Sequence, residues 1–160
     1  MTVNDYLAST LAGSLNMLKM HLNDMTDADL LVRPFPGANH ANWQIGHLIT
    51  SEVSLLNKCG AKMPELPPGF VERYNKEASK IDDASKFATK ADLLALFDKI
   101  RAGTIAYAKS ATEAQLTAPS PMPDWFPTVA EVVGLGSMHI GMHVGQIQVI
   151  RRKLGKPILF

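Results

Sequence analysis

The chain has 160 residues, 46% of them apolar and 19% charged, and a net charge of +1. That length suits one domain, 1–160, with a full-sized core, and the charge balance leaves neither a basic excess for nucleic acid nor an acidic tail. The one cysteine, Cys59, cannot close an internal disulfide, and residues 1–20 lack the basic start of a secretory signal, so a cytoplasmic setting is expected.

The first helical segment covers residues 2–21, where Leu7, Leu11, Leu15, Leu18 and Leu22 recur at spacings of three and four. Thr2 and Asp5 open it as a weak capping pair, and His21 near its end reads as structural, a cation suited to the helix C-terminus. The second segment covers 39–59, with Trp43, His47, Val53 and Leu56 at helical spacing and Gly60 as the stop. His40, at its start, reads as a surface residue or as part of the mouth of a site. A long polar stretch with three prolines follows, which either wraps the bundle with a helical turn near 72–77 or acts as a lid. The third segment covers 89–110, with Leu93, Phe97, Ile100, Thr104 and Tyr107 on one side. Thr112 and Gln115 cap a short turn. Residues 119–127, "PSPMPDWFP", then lead into the fourth segment over 128–154, opened by a Thr128/Glu131 capping box. Its basic end, Arg151, Arg152 and Lys153, suits the helix dipole, and Gly155 with Pro157 ends it. No alternating strand pattern of useful length is visible, and four long helices predict an all-α four-helix bundle.

The fourth segment raises the functional question. Its apolar run over 129–150 contains Glu131, two glutamines and two histidines, which excludes a membrane span. His139 and His143 lie one helical turn apart on one face, so their rings can converge on one metal ion. His47, on the core side of the second helix, is the candidate third ligand. Three neutral imidazoles leave coordination positions open, as in catalytic rather than structural metal sites. Gln146 falls within about 20° of His139 around the helix, placed to bond an imidazole or a substrate, or else to be a packed core amide. Thr50 and Ser51 flank His47 as candidate supporting partners, or as helix-backbone donors. No carboxylate base is well placed: Glu131 lies about 80° from His139, and Glu52 about 140° from His47. Trp43 and Trp125 read as core or as walls of a pocket. Gly134, Gly136, Gly141 and Gly145 predict close approach of a neighbouring helix. Protons compete for imidazoles of ordinary pKa about 6.5, so an all-histidine site is expected to release its ion through roughly pH 6 to 5.

The stretches "LLVRPFPGANHANWQIGHL", "LPPGFVERY" and "HIGMHVGQIQVIRRKLG" resemble the DinB superfamily, in an element order running from Leu7 to Gly155. The resemblance implies a mirror variant of the up-and-down bundle with a long loop between its second and third helices. It implies a divalent metal, nickel, zinc or iron, on His47, His139 and His143. It also implies homodimers and, from some relatives, low-molecular-weight thiols as co-substrates. The expected function is a metal-dependent enzyme, of thiol S-transferase or hydrolase type, acting on a small molecule without nucleic acid or membrane. The alternative is a non-catalytic stress-related bundle whose metal and dimer interface are structural, which a fourth protein ligand such as His40 would favour.

Overall fold

The computed structural model describes residues 1–159. In chain order its elements are α1 (Val3–Leu22), α2 (Ala41–Lys58), α3 (Phe70–Arg73), α4 (Lys90–Ser110), α5 (Glu113–Thr117), β1 (Pro119–Met122), β2 (Phe126–Thr128) and α6 (Val129–Lys153). Each long helix begins where a side chain can accept from a free backbone N–H. Thr2, Thr89 and Thr128 do this with their hydroxyls, and Thr2/Asp5 and Thr128/Glu131 form full reciprocal capping boxes. The cap of α2 is His40, whose Nδ1 accepts from the Trp43 N–H. Gly60 and Gly155 follow α2 and α6 at φ +85° and +68°, the left-handed turn that ends a helix.

Four long helices form the bundle. The α1 leucines at 7, 11, 15, 18 and 22 are all buried. Burying one such side chain stabilises by about 1.5–3 kcal/mol. Both α1 and α2 pack chiefly against α4 and α6. The first two helices therefore lie diagonally across the bundle, whereas consecutive helices of a simple up-and-down bundle are neighbours. This order sets α2 against α6. None of the described helices is long and apolar enough to cross a membrane.

The long segment after α2 is a strap rather than a lid. Phe70, Tyr74 and Ala78 are buried in the core, and the helical turn falls at 70–73, after the left-handed Gly69, rather than at 72–77. Tyr74 lies on α2: its hydroxyl donates to Asn42 Oδ1 at 3.2 Å, and its ring covers Gly46 so closely that a Cβ there would lie 2.0 Å away. The strap also holds Trp43, whose indole N–H donates to Asn75 O at 2.8 Å.

Three expectations are corrected or extended. Residues 119–128 form a short antiparallel hairpin with an irregular register. Its strands are too short and proline-rich to show an alternating pattern, and the Ser120 hydroxyl closes it by donating to Phe126 O. Close approach of a helix holds at Gly136, where a Cβ would stand 3.1 Å from Leu11 and 3.4 Å from Arg101. Gly141 and Gly145 face open space. The basic end of α6 does more than suit a dipole. Arg151 is fully buried, ion-paired to Asp24 and donating to His21 O and Pro157 O, which ties α6 to the end of α1.

Candidate metal centre

The diagonal packing brings three histidines together. His47 on α2 and His139 and His143 on α6 each offer a ring nitrogen, and these nitrogens all lie within 4.8 Å of one another. The His139 and His143 Nε2 atoms are 3.2 Å apart. Two nitrogens on one tetrahedral ion, each at about 2.0–2.1 Å, stand about 3.3 Å apart, so the spacing fits a shared ion. The His47 ring meets the His139 ring edge-on, with centroids 5.2 Å apart.

Two of the three rings are held from behind. Trp43 stacks on His47, one turn earlier on α2, with centroids 4.9 Å apart and planes within 7°. The strap anchors Trp43, so the ring's orientation depends on chain nearly thirty residues downstream. His143 Nδ1 lies 2.9 Å from Gln44 Oε1. Gln44 Nε2 donates to Asn39 O at 2.9 Å, so its oxygen must face the imidazole. An amide oxygen only accepts, so His143 carries its proton on Nδ1 and presents a bare lone pair on Nε2 toward the other two rings.

Electrostatics keep the rings neutral at pH 7. Burial lowers the pKa of all three. Burial first, then His47, brings His139 to about 4, while burial, His139 and His47 bring His143 to about 3. Neutral imidazoles are the form that binds borderline ions such as nickel, zinc and iron.

Among the described residues no fourth protein ligand completes the set. His40 is fully buried, not at the surface or at the mouth. Both its nitrogens are used, Nδ1 by the Trp43 N–H and Nε2 by Ile81 O at 3.2 Å, and its ring packs edge-on against Phe87. Glu52 is taken by Arg101 and Thr104. Cys59 is at the far end of α2.

Helical position points to Gln146 and gives Gln44 no role. The bond to His143 is made by Gln44; Gln146 is exposed and lines a separate cavity of about 360 Å³ on the other side of Gln44. The available signal was spacing, because Gln44 sits three residues before His47 on α2. Thr50 donates to the His47 backbone oxygen at 3.0 Å, as ordinary helix-backbone bonding. Ser51 lines the opening beside His47.

The centre opens into a cleft of about 450 Å³, with His47 and His139 on one side. The hairpin supplies the opposite wall through Met122, Trp125 and Phe126. Trp125 is therefore a wall residue, 79% exposed, while Trp43 is core. His21 is buried, its Nδ1 2.8 Å from Met17 O, a structural position as expected.

A comparison with curated proteins finds no match. Two solved structures share the fold. One is a conserved protein from Enterococcus faecalis, 20% identical, TM-score 0.70, covering 98% of this chain and 99% of its own. The other is YfiT from Bacillus subtilis, described as a probable metal-dependent hydrolase with an unusual four-helix bundle topology. It is 20% identical with a TM-score of 0.67, and the match covers 96% of this chain and 89% of YfiT. At family level the DinB superfamily matches residues 10–147, most of the chain and all three histidines. By its sequence this chain belongs to the DinB superfamily.

Proposed function

We propose that the protein is a divalent-metal-dependent enzyme acting on a small molecule, by hydrolysis or by transfer of a low-molecular-weight thiol. His47, His139 and His143 would hold the ion, with nickel or zinc as first candidates and iron as the third. The observation that carries this reading is three neutral ring nitrogens within 4.8 Å of one another, without a fourth protein ligand among the described residues and beside an open cleft. Structural metal sites are closed, whereas catalytic sites keep a position for water or substrate. When bound, the ion supplies Lewis-acid activation of a water, a thiol or a substrate oxygen at neutral pH.

The chain's own residues orient and shield. Gln44 keeps the His143 lone pair turned inward, and Trp43 fixes the His47 ring. Phe126 and Trp125 cover the opening from the hairpin side. The description of YfiT supports hydrolysis ahead of thiol transfer.

Elemental analysis of protein purified without chelator tests the metal, with about one divalent ion per chain expected. His139→Ala should lose it while the helical circular dichroism stays unchanged. No metal even after supplementation, or full occupancy in the variant, would overturn the proposal. Collapse of the variant on metal loss would favour the structural alternative.

A further inference from the structure

The lining of the cleft is unlike that of a site for a charged metabolite. Among the described residues no Lys, Arg, Asp or Glu lines it. Its polar groups, His47, His139 and Ser51, all belong to α2 and α6 beside the candidate centre. The remaining lining is apolar and strongly enriched in sulfur and aromatic rings. Trp125 on the hairpin faces Met138 and Met142 on α6, and all three are about half exposed or more, at 79%, 49% and 53%. Large apolar side chains left in water around a hollow mark a binding surface. The volume, about 450 Å³, lies in the range of small-ligand pockets.

We propose that this cleft takes a small molecule with a single polar centre, its reacting group, on an otherwise uncharged apolar or aromatic body. The proposal rests on the metal-enzyme reading of the three histidines. A second charge on the ligand, remote from the histidines, would lose its water against Met122, Trp125, Phe126 and the α6 methionines with nothing to pair it. An aromatic body instead gains by stacking on Trp125 and by sulfur–aromatic contact with Met138 and Met142. Methionine adapts its shape, so the cleft would accept a range of bodies while still selecting against charge. Ser51, one turn after His47, can donate to the reacting group.

Titration calorimetry on the protein as purified tests this. The probes are acetylnaphthalene, with one ketone oxygen, and the same frame carrying a remote sulfonate or a remote aminomethyl group. The neutral ketone should bind roughly tenfold or more tightly than either charged form. Trp125→Ala should weaken the ketone by a similar factor of about ten with unchanged circular dichroism, because this indole lies outside the core. Equal affinities across the three probes, or an unaffected Trp125→Ala variant, would overturn the proposal. Sedimentation velocity on the same sample covers the other occupant: a dimer that excludes the ketone and is dissociated by Met142→Glu would assign the cleft to a second copy of the chain and overturn it too. The same titration on His47→Ala keeps the two claims apart. Lost metal with retained preference for the neutral probe leaves the selection against charge standing, and absence of metal from the wild type sinks the enzyme reading and the reacting group with it, but not that selection.

Discussion

Two groups of buried polar side chains hang on α2 little more than a turn apart, and they end differently. Glu52 faces α4, where the Thr104 hydroxyl donates to one carboxylate oxygen at 2.5 Å and Arg101 to the other at 2.8 Å. Arg101 in turn donates to Gly136 O at 3.1 Å. Burial raises the Glu52 carboxyl above its ordinary value, with Arg101 and then Thr104 opposing. His47 faces α6, where it meets two more histidines whose ring nitrogens lie within 4.8 Å of its own, and His47 and His139 line an open cleft. In the first group the carboxylate is saturated by protein, so its role is to hold helices together. In the second, Gln44 and Trp43 support the rings from behind and leave the inward nitrogens to a ligand. The Glu52 oxygens are thus met by protein donors, whereas among the described residues the Nε2 atoms of His139 and His143 meet only each other.

The largest test of this contrast is Glu52→Ala. It leaves Arg101 buried without its partner, and denaturant unfolding should show a loss of about 3–5 kcal/mol. The metal content of the folded fraction should not change. A variant that lost its metal at wild-type stability would erase the distinction.

Gly46→Ala comes next. The new methyl would sit 2.0 Å from the Tyr74 ring, so the strap must shift and take the Asn75 anchor of Trp43 with it. Thermal melts should show a loss of about 1–3 kcal/mol, together with weaker metal retention. Unaltered stability would mean that the strap bears no part of the His47 orientation.

Gln44→Met tests the open group by itself. His143 loses the acceptor that fixes its tautomer, and chelator competition should show about a 10–100-fold weaker hold on the metal. The effect on unfolding should be smaller than for Glu52→Ala. Equal loss of stability in the two variants would put Gln44 in the structural class.

Acidification tests the same rings without a substitution. The unfolded chain carries histidines of pKa about 6.5, and the folded protein lowers His139 to about 4 and His143 to about 3. Over that window the unfolded state binds more protons, so stability is present above about pH 6.5 and is lost as pH falls toward about 4. The same burial delays proton competition, so the release expected from ordinary imidazoles at roughly pH 6 to 5 moves to more acid values. Metal still bound after dialysis at about pH 5 is the expected result, and release near pH 6 would mean that the rings are more hydrated than their burial implies.

The four long helices were legible before any coordinates because their causes are local. Thr2, Thr89 and Thr128 each bond an N–H three residues away, and the α1 leucines share a face through helical spacing. The His139–His143 pair was legible for the same reason, since four residues make one turn. The place of His47 depends in addition on which helix lies opposite α2. The α3 turn was misplaced by two residues, and the hairpin was missed because it is held by Ser120 and one short register rather than by a pattern.

By itself, then, the sequence determined most of what closes within about a turn of chain: the long helices, their threonine caps, the paired histidines and the neutral composition. Tertiary structure decided the rest. Diagonal packing of α1 and α2 set His47 against α6, and Tyr74 settled onto Gly46 from 28 positions away. It also turned His40 inward as a cap, chose Gln44 over Gln146 for His143, and raised Trp125 into a wall. The physical reason is that each of those outcomes depends on which surfaces meet when the apolar stripes are buried, and that choice minimises exposed area over the whole chain rather than over any one segment.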